Sequence, residues 1–240
     1  MSVAGIGFDR ALRLDWLDLA AGLAVAGTPR PEAQRQLVER LRDQLEGAEA
    51  AAKTALVLVR PWYPQEARRQ RLRDEALALV QAVSPAERLA VHWGLLLAAY
   101  PFFRDAVAVA GRLLRLQPQF RSQQMRARLV EHYGDRAFVE RARRHVVRSL
   151  VHWEILTMVE RNGVYALGRT LPVHDQDVER FLLHVLLLGS GMSAAPLEGL
   201  LASPELFPFA VADDASRVAH GPGFLISTVA GQQRLVSLAV

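Results

Sequence analysis

The stretch VERARRHVVRSLVHWEILTMVERNGVYALGR, residues 139–169, limits the possible folds of this chain more than any other. Its first half carries apolar residues at helical spacing, which predicts one buried stripe made of Val139, Ala142, Val146, Leu150 and Trp153. Two short β-like runs follow, LTMVE and VYALGR, and Asn162-Gly163 separates them. Asn-Gly between two such runs is the strongest short-range indication of a β-hairpin. We therefore expect a helix that leads directly into a hairpin.

The residues before this stretch predict a second helix, which ends near Tyr133-Gly134-Asp135. The order helix, turn, basic helix, hairpin is typical of a winged helix-turn-helix, and Asn162 and Gly163 would lie at the tip of the wing. Pro118 is the most plausible internal boundary. We predict a helical domain at residues 1–117 and a winged-helix-like domain at 118–240, the second extended by C-terminal helical and β segments.

The first 115 residues predict helices with short breaks, so the expected fold class is mainly α, with a helical N-terminal lobe, a winged-helix-like C-terminal lobe and a small β-hairpin. The run Arg60-Pro61-Trp62-Tyr63-Pro64 is expected to end one of these helices, because proline cannot continue a helix. The run Ser84-Pro85-Ala86-Glu87 predicts a capping box at the start of another. Later, Asp175 is expected to cap a helix.

The positive charge of the chain is concentrated, although the net charge is only +4. Residues 104–148 hold eleven arginines and four acids, whereas the residues from Leu171 onward hold three arginines and seven acids. Lys53 is the only lysine, so the basic groups are nearly all guanidinium groups, which suit phosphate and guanine contacts. Such clustering predicts a basic face that meets a polyanion.

The candidate DNA contacts follow from this clustering. Arg141, Arg144 and Arg148 share one face of the predicted helix at i, i+3, i+7 spacing, and the wing would reach neighbouring phosphates. The full predicted set is Arg126, Arg128, Arg141, Arg143, Arg144, Arg148, Asn162 and Gly163, with a secondary basic patch at Arg68, Arg69, Arg71 and Arg73. The alternative for both groups is an ordinary solvated helix face, with pairs such as Glu140 and Arg144.

The sequence does not predict a catalytic site. It has no cysteine, and its histidines show no spacing typical of metal ligands. His174-Asp175 with Asp177 resembles half of a metal phosphohydrolase motif, but helix capping by Asp175 is the preferred interpretation. The phosphate-binding and nucleophile motifs that use spaced glycines are absent. We therefore expect neither enzyme activity nor a bound metal or cofactor.

Two features of the sequence bear on where in the cell the protein is expected. Residues 1–10 lack the basic start and apolar run of a signal peptide. The longest strongly apolar runs, at 91–103 and 181–188, are shorter than the roughly 20 residues that cross a bilayer. A cytoplasmic protein without a membrane partner is the expectation.

Two blocks, AERLAVHWGLLLAAYPFFRDAVAV (86–109) and RARRHVVRSLVHWEILTMVERNGVY (141–165), resemble the BrxA family, small components of bacteriophage-exclusion (BREX) defence systems. In that family an apolar helix leads into a Tyr-x-Phe-type turn with a following aspartate, and a later basic helix precedes a hairpin. The matching positions are Tyr100, Phe102, Asp105, Arg144, Arg148 and Leu150. The resemblance extends over residues 40–165, and the segment between Phe120 and Tyr133 and the C-terminal region match less well. It implies a non-catalytic, DNA-binding helical protein that works beside larger defence proteins.

These expectations combine into one predicted function. The chain would be an accessory protein that binds double-stranded DNA mainly through arginine–phosphate contacts, together with other proteins of a phage-defence system. The alternative is a helical scaffold that binds only proteins, in which the arginines pair with acidic partners and LFPF (206–209) docks as a strand. A nuclease or phosphohydrolase that uses Asp175 or Asp177 is the weakest reading.

Overall fold

A computed structural model describes residues 7–160, 163–211, 223–229 and 233–238, and the fold is mainly α, as predicted. The helices are α1 (Leu14–Val25), α2 (Arg30–Arg42), α3 (Ala48–Trp62), α4 (Ala67–Ala82), α5 (Arg88–Ala99), α6 (Pro101–Leu116), α7 (Ser122–Tyr133), α8 (Ala137–His152), α9 (Gln176–Ser190) and α10 (Leu197–Leu201). The strands are β1 (Gln119–Arg121), β2 (Leu156–Glu160), β3 (Val164–Leu167), β4 (Leu171–Pro172), β5 (Ala194–Pro196), β6 (Phe209–Ala210), β7 (Phe224–Val229) and β8 (Gln233–Leu238).

Helix α5 lies at the centre of the fold. It is apolar around nearly its whole circumference, and such a helix is stable only when other elements cover every side. Helices α1, α3, α4, α6 and α9 all contact it. Trp93 of α5 makes edge-on ring contacts with Phe103, Trp153 and Phe209, at centroid distances of 5.3, 6.2 and 5.4 Å. One side chain thus joins α5 to α6, to the end of α8 and to β6.

Phe209 closes this core from the C-terminal side. Its side chain is buried, and its strand β6 pairs in parallel with β4. The segment LFPF therefore contributes to the core of this chain, where burial of an aromatic ring is a large stabilising term.

The region around α7 and α8 has the element order of a winged helix. After α6 come β1, α7, α8, β2 and β3, and the strands form an antiparallel sheet in the order β1-β3-β2. The predicted helix pair and hairpin are confirmed. Strand β1 was not predicted, and α6 contacts β1, α7 and α8 as well as α5. The division into domains at 117/118 stays a prediction.

Helix α9 begins as its sequence indicated. The carboxylate of Asp175 accepts hydrogen bonds from the backbone N–H groups of Asp177 and Val178, at 2.8 and 3.3 Å, so the predicted cap is confirmed. The apolar side of α9 packs on α4 and α5. Strands β5, β7 and β8 form a further antiparallel sheet next to α10.

The predicted capping box at Ser84 is wrong. Helix α5 begins at Arg88, and no side chain caps its first turn. The Ser84 hydroxyl donates to the Glu87 carboxylate at 3.1 Å. That carboxylate also accepts hydrogen bonds from the backbone N–H groups of His174 and Asp175, at 3.0 and 3.1 Å. Glu87 therefore supplies the hydrogen-bond acceptor for two backbone N–H groups in the segment that leads into α9. Local sequence spacing does not reveal this tertiary contact.

The run at residues 60–64 ends α3, as predicted, but Pro61 itself lies inside the helix, which continues to Trp62. A proline has no N–H, so in a helix it leaves the carbonyl four residues earlier, here that of Val57, without its usual donor. The buried hydroxyl of Tyr100 donates a hydrogen bond to this carbonyl oxygen at 2.8 Å. The junction between α5 and α6 thus supplies the donor that α3 lacks.

No single helix in the described part of the chain is long and apolar enough to cross a membrane. Helices α5 and α6, which are bent by 119° at Tyr100, pass that test together on length and composition alone.

The substitution Tyr100→Phe should lower the free energy of unfolding by about 1–3 kcal/mol, because it leaves the buried Val57 carbonyl unpaired. In a Pro61→Ala background the same change should cost less, since residue 61 then supplies its own N–H to that carbonyl. Urea unfolding of the unmodified protein, the two single variants and the double variant gives the free-energy cost of Tyr100→Phe in each background. An equal cost in the two backgrounds would contradict the proposed exchange of donors.

Candidate nucleic-acid interface

The exposed face of α8 carries three closely spaced arginines. Successive residues of an α-helix are rotated by about 100°, so Arg141, Arg144 and Arg148 fall within one sector. All three are exposed, while the predicted apolar stripe on the other side is buried. We call these three residues the basic row. The structure confirms that they share one face.

The members of the basic row differ in how they are paired. Within the described part of the chain, the guanidinium groups of Arg141 and Arg148 make no hydrogen bond or ion pair. Arg144 lies 3.4 Å from the Glu140 carboxylate, but its side chain is still 68% exposed. An exposed ion pair of this kind contributes little to stability, so Arg144 can exchange the Glu140 carboxylate for a phosphate.

Arg143 points the other way. It is rotated by about 200° from Arg141, and its side chain is buried. Its guanidinium group donates to the Glu140 carboxylate at 2.7 and 3.0 Å and to the Ser122 hydroxyl at 2.6 Å. The hydrogen bonds from Arg143 are the main cause that lowers the pKa of Glu140 below its usual 4.5. Arg143 therefore fastens α8 to the start of α7 and is not part of the exposed face.

The arginines of α7 are largely neutralised by acids. Arg126 lies 2.6 Å from Asp135 and 3.8 Å from Glu140, and Arg128 lies 3.2 Å from Glu131. Arg126 thereby reaches α8 through Glu140, whereas Arg128 pairs within α7. Each would have to give up an acidic partner to bind a phosphate, so we expect them to contribute less than Arg141 and Arg148.

The β2–β3 hairpin, which we call the wing, is anchored to α7. Asn162, which was predicted at the wing tip, lies outside the described residues. Gly163 has a φ of 75°, and its carbonyl accepts a hydrogen bond from the Ser122 backbone N–H at 2.8 Å. A Cβ at Gly163 would lie 3.1 Å from the Ser122 Cβ. Glycine is therefore favoured here both by the left-handed backbone and by the close approach.

The secondary basic patch lies on α4. Arg68 and Arg71 are exposed and have no hydrogen-bond or ion-pair partner among the residues that the structure describes. Arg69 pairs with Glu66 at 2.8 Å, and Arg73 with Asp74 at 2.7 Å. Helix α4 packs against α1, α5 and α9, whereas α8 packs against α6, α7 and β2. The two basic groups thus stand on different sets of packed helices.

Sequence reasoning missed a contribution from the N-terminal segment. The backbone N–H of Leu12 donates to the Ser149 hydroxyl at 2.8 Å, which holds residues 7–13 along α8. Arg10 and Arg13 consequently come near His145 and His152, respectively, each with an acidic neighbour, Asp9 at 3.7 Å and Asp15 at 3.0 Å. These residues are more than 130 positions apart in the chain, so no local pattern could have joined them.

The two histidines on this face are held neutral near pH 7. Partial burial is the main cause that lowers the pKa of His145, followed by the positive charge of Arg10. Burial likewise lowers the pKa of His152, with Arg148 as the next cause. Both lie within the same sector of α8 as the basic row, so protonation of either adds charge to that face.

The described residues contain no group of three or more His, Asp or Glu side chains that could hold a metal ion. Asp175 uses its carboxylate to cap α9, and Asp177 forms an ion pair with Arg180 on the same helix. Both acidic residues of the candidate phosphohydrolase motif thus have helix-stabilising contacts.

Comparisons with known proteins give no match: no protein-family model, no curated protein and no solved structure matches the chain.

The substitution Arg143→Gln should lower the free energy of unfolding by about 2–3 kcal/mol at neutral pH, because it removes charged hydrogen bonds to Glu140. The matched change Arg148→Gln should stay within about 0.5 kcal/mol, because that side chain is exposed and unpaired. The pKa of Glu140 is lowered in the folded state, so this stabilisation is present above its usual pKa and is lost as pH falls through the folded value. Chemical unfolding across a pH series tests both statements. Equal effects of the two substitutions would contradict the structural role of Arg143.

Proposed function

We propose that this chain is a non-catalytic protein that binds double-stranded DNA through the basic row of α8 and the adjoining wing. The observation that carries the proposal is that Arg141 and Arg148 are exposed, lie on one helical face and have no acidic partner within the described residues. In winged-helix and helix-turn-helix units the helix that corresponds to α8 enters the major groove.

The binding chemistry is expected to be mainly electrostatic. Each guanidinium group that contacts a phosphate releases condensed counterions, so affinity falls as salt rises, with little dependence on base sequence. Arg144 would exchange its ion pair with Glu140 for such a contact. Arg126 and Arg128 would add weaker contacts at the flank, and Gly163 would set the position of the wing beside the duplex.

The assignment to phage defence has separate support. It depends on the resemblance to the BrxA family, which is carried by Tyr100, Phe102, Asp105, Arg144, Arg148 and Leu150. We propose on this basis that the chain acts as an accessory protein beside other defence proteins in the cytoplasm. DNA binding and membership of a defence system can be tested independently of each other.

One observation favours the alternative, a scaffold that binds proteins only. Apolar side chains, among them Leu114, Leu167 and Leu201, line a groove of about 280 Å³ between α6 and the C-terminal region. Leu116, which follows on α6, is 84% exposed. Retention of an acidic protein, without retention of duplex DNA at low salt, would favour this reading.

The triple substitution of Arg141, Arg144 and Arg148 by alanine should weaken duplex binding and reduce the slope of log K against log salt by about 2–3, since each lost phosphate contact removes about 0.9. Fluorescence anisotropy of a labelled mixed-sequence duplex across a salt series measures affinity and slope together. Arg40→Ala with Arg42→Ala is the control, because both side chains are exposed on α2, outside the winged-helix unit.

The slope of log K against log salt distinguishes the loss of phosphate contacts at α8 from a loss of positive charge elsewhere on the protein. The control should leave it unchanged, even if affinity falls slightly. A folded triple variant with the affinity and slope of the unmodified protein would remove the DNA-binding proposal.

DNA affinity should also rise as pH falls from about 7.5 to about 5.5, because phosphates beside α8 favour protonated His145 and His152. The lowered pKa of both groups in the folded protein means that they are neutral at the upper end of this range, so binding takes up protons. The double variant His145→Gln, His152→Gln should show a weaker dependence on pH. His132→Gln, at an exposed position of α7, should retain the original dependence. An unchanged pH profile in the double variant would exclude these histidines from the interface.

A further inference from the structure

A second basic feature lies beside the basic row. Helices α2, α3 and α8 and the N-terminal segment enclose a cleft of about 450 Å³, which we call the interhelical cleft. Its size is within the range of small-molecule sites in proteins. A DNA duplex is too wide to enter it. Its positive side chains are Arg30, Lys53, Arg60 and Arg141.

The acids near this cleft do not neutralise it. Asp9 is the one acidic residue in its lining, and its carboxylate lies 3.7 Å from Arg10. Glu49, on the first turn of α3, pairs with Lys53. Among the described residues, the guanidinium groups of Arg30, Arg60 and Arg141 have no hydrogen bond or ion pair. Three unpaired like charges around one cavity repel one another, and a bound anion would relieve that repulsion.

The ring of Tyr100 supports the guanidinium group of Arg60. This group lies 5.2 Å from the centre of the Tyr100 ring, a cation–π arrangement. Gly7 permits this approach: its φ is 59°, and a Cβ there would lie 2.7 Å from an Arg60 guanidinium nitrogen. Because Tyr100 is itself fixed by its hydrogen bond to Val57, the floor of the cleft is preorganised.

The walls of the cleft also expose apolar surface. Leu56 of α3 is 46% exposed and Phe138 of α8 is 39% exposed, and both line the cavity. Large apolar side chains that remain exposed beside convergent polar groups are typical of ligand sites. Phosphates alone would leave this surface uncovered, whereas a planar base would cover it.

We propose that the interhelical cleft binds a nucleoside di- or triphosphate. The phosphates would lie against Arg30, Arg60 and Arg141, and the base would lie against Leu56 and Phe138. Several unpaired guanidinium groups match the charge of a polyphosphate, and guanidinium–phosphate contacts are among the stronger charge-assisted hydrogen bonds. This binding does not depend on the proposed DNA function.

A coupling to DNA follows from Arg141, which lines the cleft and also belongs to the basic row. This further statement depends on the proposed function. A guanidinium group engaged by a bound nucleotide is no longer available to a DNA phosphate, so nucleotide should weaken duplex binding, and duplex should weaken nucleotide binding by the same factor.

The primary test is isothermal titration calorimetry of the full chain with ATP, without DNA or divalent metal, at about 0.15 M salt to screen non-specific attraction. We expect saturable binding of one ATP. Arg60→Gln and Arg30→Gln should each weaken it about tenfold, the value of one charge-assisted hydrogen bond. Arg42→Gln is the matched control, an exposed arginine on the same helix as Arg30 but outside the cleft, and it should leave the affinity unchanged.

Tripolyphosphate and Phe138→Ala test the apolar wall separately. Tripolyphosphate should bind more weakly than ATP, and Phe138→Ala should weaken ATP binding while leaving tripolyphosphate binding unchanged. The proposal is overturned if ATP shows no saturable binding, if Arg42→Gln weakens it as much as Arg60→Gln does, or if tripolyphosphate binds as tightly as ATP. Because no DNA is present, failure of this test is distinct from failure of the DNA-binding proposal.

Discussion

The hydrogen bond from Tyr100 to the Val57 carbonyl is the interaction on which the arrangement of the helices depends. It completes α3 at the point where Pro61 removes a donor, and it does so from the bend between α5 and α6. The ring of Tyr100 also contacts Phe8 edge-on at 5.5 Å and supports Arg60. An unpaired carbonyl in this buried position would cost free energy, so the position of α3 relative to that bend is strongly specified.

Helix α6 connects the bend at Tyr100 to the winged-helix unit. It begins directly after Tyr100, and it packs against both α5 and the elements β1, α7 and α8. The ring contact between Phe103 and Trp153, at 6.1 Å, ties α6 to the end of α8. The basic row is therefore carried by a helix that packs on the helical core through α6, and the interhelical cleft lies between that helix, α2 and α3.

Local patterns predicted the elements well and their contacts poorly. Periodicity located α7 and α8, and the Asn-Gly pair between two β-like runs located the wing. The capping role of Asp175 followed from its place before an apolar helix. The function of Glu87 was not predictable, because its backbone partners lie 87 and 88 residues away. Arg143 has the same charge as its neighbours, and its contact with Ser122 of another helix was not visible in the local pattern. The cleft combines residues from separate helices, so no single segment contains its pattern.

The N-terminal segment, residues 7–13, makes the two sides of α8 different. Its hydrogen bond to Ser149 covers one side of the helix, whereas Arg144 lies toward the other. A duplex that rests on α8 would meet the N-terminal segment on one side of the helix and α7 on the other. The footprint of a single chain would then be lopsided with respect to the DNA axis, and the chain would have a defined orientation on DNA even where it reads no bases.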